Sequence, residues 1–183
     1  IMQSYIISST SNLLEKNNCW EPLSEKINLE FAAYGDISSG FIQDLNKGII
    51  VVLFVEDLVQ NNTDDYALVK EAYQAFLELV RRRAKESKKP IILCLGSKIK
   101  KTVIASSRYE TKYKQFCDQL ENDLIQLRDK FNTIYFINLN DVFYSLGSQN
   151  VFSNRNWYFG RCRLSIEGLK ILVNSIAELV EEV

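Results

Sequence analysis

Five short runs of aliphatic and β-branched residues recur along the chain, each followed by a longer stretch with apolar residues at helical spacing. That alternation predicts parallel strands joined by helical crossovers. Ile49-Ile50-Val51-Val52-Leu53-Phe54-Val55 is apolar at every position, so this strand is expected to be buried on both faces at the sheet centre. Ile91 to Leu95 is a second such run, opened by Pro90 and closed by Gly96-Ser97. The first strand is expected at Ser4 to Ser8, followed by a helix from about Asn12 to Ile27 that Trp20 and Pro22 interrupt. Asn28 to Ala33 reads as strand two and Thr133 to Ile137 as strand five, with a short helix near Gly40 to Leu45 before the central strand.

The strongest helix opens at Asp64 and Asp65 and carries Leu68, Ala72, Phe76, Leu79 and Val80 on one stripe. Arg81-Arg82-Arg83 near its end suits the helix dipole and reads as a solvated terminus. A polar stretch with Lys98, Lys100, Lys101, Ser106, Ser107 and Arg108 precedes a helix bearing Tyr113, Phe116, Leu120, Leu124 and Leu127. Gly147 to Leu164 lacks a period and is expected to form a long ordered loop, of the kind that usually carries function. Ser165 caps a final helix that buries Leu169, Leu172, Val173, Ile176, Leu179 and Val180. The fold class expected is α/β: a three-layer α/β/α sandwich on a five-stranded parallel sheet, with residues 1–183 as one domain.

Composition narrows the function classes. The 183 residues carry 22 Lys+Arg against 23 Asp+Glu, a net charge of -1, which offers no field for nucleic acid or an anionic membrane. No apolar run approaches the ~20 residues that span a bilayer, and no secretory leader is evident. Cys19, Cys94, Cys117 and Cys162 lack CxxC spacing and read as reduced, buried thiols. A cytoplasmic location follows as the expectation. Ile1 precedes Met2 and the last helix runs to Val183 without a stop signal, as expected of a domain excised from a longer polypeptide.

In an open parallel sheet, ligands bind beyond the carboxyl ends of the strands. That places Ser8, Ser9, Thr10 and Ser11, then Tyr34 and Gly35, then Glu56 and Asp57, then Ser97, and finally Trp157, Arg161 and Arg163 at one edge. The chain contains no histidine, so a serine here has no imidazole base. Glu56, Asp57 or a lysine remains as a substitute base for Ser9; equally, one acid could cap the turn while the other pairs with Arg161 or Arg163 and holds the long loop. Trp157 and Tyr158 are expected to pack that loop on the sheet. Acids alone, without clustered spacing, give no metal site, and no GxGxxG or GxxxxGK[ST] loop supports a nucleotide, so no cofactor is expected. A phosphoacceptor receiver would need acids after strand one, where Ser-Ser-Thr-Ser stands.

This layout resembles the SGNH (GDSL-like) hydrolase fold. On that resemblance Ser9 matches the nucleophile, Gly35 the glycine after strand two, and Glu56-Asp57 the position of the asparagine. Arg161-Cys162-Arg163-Leu164-Ser165 stands where the family carries Asp-x-x-His. A tighter likeness is to the degenerate amino-terminal domain of FkbH-like proteins of polyketide and nonribosomal peptide assembly. It is carried by Ile7-Ser8-Ser9-Thr10, Phe31-Ala32-Ala33-Tyr34-Gly35, Val52 to Leu58, Asn138-Leu139-Asn140-Asp141 and Asn156-Trp157-Tyr158. It implies a non-hydrolytic scaffold or docking module, with neighbouring domains or an acyl carrier protein as partner. The alternative it leaves open is an active esterase or acyltransferase with a non-histidine base.

Overall fold

The computed structural model describes residues 2–59, 65–97 and 112–183. Five parallel strands, β1 (Ser4–Ser9), β2 (Asn28–Phe31), β3 (Gly48–Phe54), β4 (Ile91–Gly96) and β5 (Ile134–Asn138), form one sheet in the order β2-β1-β3-β4-β5. The order reverses between β1 and β3, so the switch point lies where the sequence places Ser9, Glu56 and Asp57. The α/β fold class and the central position of β3 are as the hydrophobic pattern predicts; all seven β3 residues are buried.

The alternation of β3 and β4 divides the core into two. Ile50, Val52, Phe54, Ile92 and Cys94 pack with Leu169, Leu172, Val173 and Ile176 of the last helix, α8 (Ile166–Glu182). Ile49, Val51, Leu53, Ile91, Leu93 and Leu95 face α2 (Ile37–Ile42), α3 (Tyr66–Glu86) and α4 (Lys112–Lys130). Ser165 caps α8 as expected, accepting from the Gly168 N–H at 3.0 Å. Gly168 is required by contact: a Cβ there would lie 2.6 Å from the Val151 carbonyl oxygen.

Three expectations are corrected. Instead of a helix from Asn12 to Ile27, there is an irregular segment, a 3-10 turn (Asn18–Trp20) and a single turn α1 (Glu21–Ser24). The cause is local: Asn12 Oδ1 accepts from the Leu14 N–H and Asn17 Oδ1 from the Cys19 N–H, Asx turns that compete with helix, and Leu14 is left-handed at φ 51°. The stretch 147–164 is not a loop throughout but holds α6 (Ser148–Val151) and α7 (Asn154–Gly160), after α5 (Leu139–Phe143). Arg83 is not a solvated helix end. It is 2% exposed and donates to the carbonyls of Phe41, Gln43, Asp44 and Lys47, which fastens the α2–β3 connection. Asp65 caps α3 through the Leu68 N–H, while Asp64 and the polar stretch from Lys98 to Arg108 lie outside the described residues.

Candidate functional site at the strand ends

The pleat decides which hydroxyl faces which layer. Ser9 has the parity of Tyr5 and Ile7 and lies on the α8 side, whereas Ser8 is turned to the other face. Ser8 is fully buried, donates to the Ile37 carbonyl at 3.0 Å and presses on Gly40. It therefore seals α2 to the sheet and is not part of a cleft, contrary to expectation.

β3 runs into a 3-10 turn (Val55–Val59) that sends its two acids in different directions. Asp57 turns toward the carboxyl-terminal segment. Arg163 Nε donates to its Oδ1 and Oδ2 at 2.7 and 2.9 Å, a terminal guanidinium nitrogen also donates to Oδ1, and Thr10 Oγ1 donates to Oδ2 at 3.1 Å. Both side chains of the pair are buried, at 5% and 7% exposure. The Arg163 guanidinium also stacks 4.2 Å from the Trp157 ring centre, a cation–π contact in a site shielded from water. The loop-holding ion pair expected from sequence is thus formed, by Arg163 and Asp57.

Glu56, 5% exposed, turns toward β4 and accepts from Ser97 Oγ at 2.5 Å, and the Ser97 N–H donates to Asn140 Oδ1 at 3.2 Å. Ser9 joins neither acid. Its Oγ accepts from the Ser11 N–H at 3.1 Å and its carbonyl accepts from the Gly35 N–H at 3.0 Å. Gly35 adopts φ +95°, which a side chain would strain. The expected pairing of Ser9 with Glu56 or Asp57 as base is therefore absent.

Arg161 forms no ion pair with either acid. It closes α7 in the left-handed conformation at φ 55° and lies 5.3 Å from the Trp157 ring centre. Tyr158 does not pack the segment on the sheet: it is 80% exposed, beside Phe159 at 78%. Phe152 does that packing instead, edge-on to Phe54 and Phe143. Asn12, expected to open a helix, instead ties two distant segments, a role the sequence reading did not foresee. Its Nδ2 donates to the Gly160 carbonyl at 2.8 Å and its N–H to the Arg161 carbonyl at 3.0 Å, tying the segment after β1 to the end of α7. The run of asparagines at 12, 17 and 18 was the available signal.

A cleft of about 780 Å³ opens beside Ser9, between the segment after β1 and the end of β2. Tyr34, half-exposed at 52%, stands on its wall. Among the described residues no three Cys, Asp or Glu side chains gather to hold a metal, and no helix is long and apolar enough to cross a membrane.

Solved structures share this arrangement at low sequence identity. The amino-terminal part of BF1531 from Bacteroides fragilis, a structure containing a phosphatase domain complexed with Mg, superposes with a TM-score of 0.76 at 14% identity over 98% of this chain. A Parabacteroides merdae protein described as a GDSL-like lipase matches 98% of this chain and 95% of its own, with a TM-score of 0.52 at 15% identity. A Streptococcus protein described as a platelet activating factor matches at 0.52 and 11% identity, over 98% of this chain and 85% of its own. The fold is SGNH-like. This chain spans about half, 51%, of the BF1531 structure. No protein-family model and no curated protein matches the sequence.

Proposed function

We propose that this chain is a non-hydrolytic SGNH-like module of an FkbH-like protein of polyketide or nonribosomal peptide biosynthesis, in the cytoplasm. It serves there as a scaffold or as a docking surface for a carrier-protein-bound acyl group, with neighbouring domains of its own polypeptide as further partners. The observation that carries the reading is the commitment of Asp57. Its two oxygens take three guanidinium hydrogen bonds and one from Thr10, which leaves it poorly placed to accept a proton from a serine. Among the described residues, Ser9 Oγ accepts from the Ser11 N–H of its own turn and the Ser9 carbonyl from the Gly35 N–H of the β2 connection. The half-length match to a structure containing a phosphatase domain supports a place beside a second domain.

One observation favours the alternative, an active esterase or acyltransferase: Lys16 lines the same cleft as Ser9 and is the lysine that could act as its base. A fluorophosphonate probe and a panel of activated acyl esters separate the two. The module reading expects no serine labelling and no turnover, together with saturable binding of an acyl carrier protein or adjoining domain. Labelling of the native chain that Ser9→Ala abolishes would overturn it, as would a lack of any such binding up to about millimolar concentration.

A further inference from the structure

Helix α7 has two unlike faces. On the inner one, Trp157 lies against the guanidinium of Arg163, Asn156 Nδ2 donates to the Leu164 carbonyl at 3.0 Å, and the Gly160 carbonyl accepts from Asn12. On the outer one, Arg155, Tyr158 and Phe159 stand at i, i+3 and i+4, a spacing that gathers them on one side of the helix. Tyr158 and Phe159 are both exposed, and their rings meet edge to face at 5.3 Å. They therefore form one apolar surface and not two scattered ones.

The charge around these rings is of one sign. Between Asp141 and Glu167 the chain carries Arg155, Arg161 and Arg163 and no carboxylate side chain. Arg163 is paired with Asp57, whereas Arg155 and Arg161 join no ion pair among the described residues. Arg161 rests against Trp157, 5.3 Å from the ring centre, a contact that leaves the edge of its guanidinium able to fork onto a carboxylate. The segment that Asn12 ties to α7 adds Glu15 and Lys16, one charge of each sign, so the two arginines are not offset. Aromatic rings flanked by arginine are the side chains enriched where proteins meet. The inner contacts fix α7 before any partner arrives, which lowers the ordering cost of binding.

We infer that the outer face of α7 docks an acidic segment of another protein, its aliphatic side chains laid on Tyr158 and Phe159 and its carboxylates on Arg155 and Arg161. Two arginines in a chain of net charge -1 give too weak a field for a nucleic acid or an anionic membrane, which leaves a protein as the occupant. The buried pair of Arg163 and Asp57 serves this face by seating Trp157 beneath the helix. As an account of where a docking module docks, the inference rests on that reading; the chemistry of the face does not.

The test is an amide-resolved NMR titration of the native chain with two short synthetic peptides, one of alternating Glu and Leu and one of alternating Lys and Leu. The acidic peptide is expected to saturate with a dissociation constant on the order of 0.1 mM, shifting the amides of residues 154–161. The basic peptide should bind about tenfold more weakly, and Arg155→Glu with Arg161→Glu should weaken the acidic peptide by about the same factor. Tyr158→Ser with Phe159→Ser should remove saturation, while Ile42→Ser, at an exposed apolar position at the opposite end of the sheet, should leave binding unchanged. These side chains are exposed, so an unchanged amide spectrum elsewhere shows that the fold is kept. No saturation by about 5 mM, equal binding of the basic peptide, or acidic-peptide binding untouched by either pair of substitutions overturns the inference. So does tighter binding of a thymidylate oligomer or of phosphatidylserine vesicles than of the acidic peptide. An acyl carrier protein that binds the native chain and the Tyr158→Ser, Phe159→Ser variant equally would remove this face and leave the docking-module reading intact. Acidic-peptide binding at α7 without binding of any carrier protein or adjoining domain would defeat that reading and leave this face standing.

Discussion

Arg163 closes on Asp57 through Nε to both carboxylate oxygens, at 2.7 and 2.9 Å, joining two residues 106 positions apart. The pair ties the turn after the central strand to the segment that leads into α8. With Trp157 under the guanidinium, three parts of the chain converge on one buried charge pair.

Removing one member of such a pair leaves the other charge buried and alone. Arg163→Ala is expected to lower unfolding stability by about 3–5 kcal/mol, measured by urea denaturation. Arg163→Lys should recover only part of this, since an ammonium neither forks across both oxygens nor stacks as a plane on Trp157. Recovery to the native midpoint by lysine would show that charge alone matters there.

Arg83 answers for four carbonyls at the other end of the sheet. Burial lowers its pKa from the usual arginine range, and Asp44 and Glu86 oppose that fall. Arg83→Met keeps the side chain's bulk and leaves those oxygens short of donors, so a loss of about 2–4 kcal/mol is expected. The same variant should speed amide exchange in residues 43–48. Unchanged exchange there would argue that the guanidinium does not hold this connection.

Tyr5 supplies a pH dependence. Burial, with a smaller contribution from Tyr135, raises its pKa from 10.0 to about 12. The folded state therefore favours the neutral phenol, and the stability it contributes is full below pH 10 and is lost as pH rises toward about 12. That loss is worth about 3 kcal/mol at the upper limit of the shift. Denaturation midpoints measured from pH 9 to 12 should fall less steeply for Tyr5→Phe than for the native chain. Identical slopes would place the alkaline sensitivity elsewhere.

The thiols report on the core. Cys94 is fully buried in β4 and burial pushes its thiol far up; burial also raises that of Cys162. A maleimide at neutral pH should label half-buried Cys117 in the native chain, with Cys94 and Cys162 reacting only as the chain unfolds. Native-state labelling of Cys94 at the rate of Cys117 would contradict the packing of β4 between two helical layers.

Much of the frame was legible before any coordinates. Strands that are apolar on both faces must be covered twice, so the β3 and β4 runs implied a parallel sheet between helices. Of the acids after β3 and the arginines before α8, Asp57 and Arg163 meet, and an ion pair there was one of the expected outcomes. Local polarity was a poorer guide. Arg83 sits in a run of three arginines, yet the α2–β3 connection wraps it, because four carbonyls there needed donors. The asparagines after β1 defeated a helix whose hydrophobic spacing was otherwise adequate.

The sequence by itself determined the alternation of strands and helices, the lack of a histidine base and the set of polar residues at the strand ends. Tertiary structure alone decided which of them meet. Ser8 and Ser9 are neighbours in sequence, and the pleat sends one under α2 and the other to the cleft. Glu56 and Asp57 are also adjacent, and the 3-10 turn gives one to Ser97 and the other to Arg163. Composition and period fix what is present at an edge, but contacts across 41 or 106 positions depend on chain directions that only the packed sheet sets.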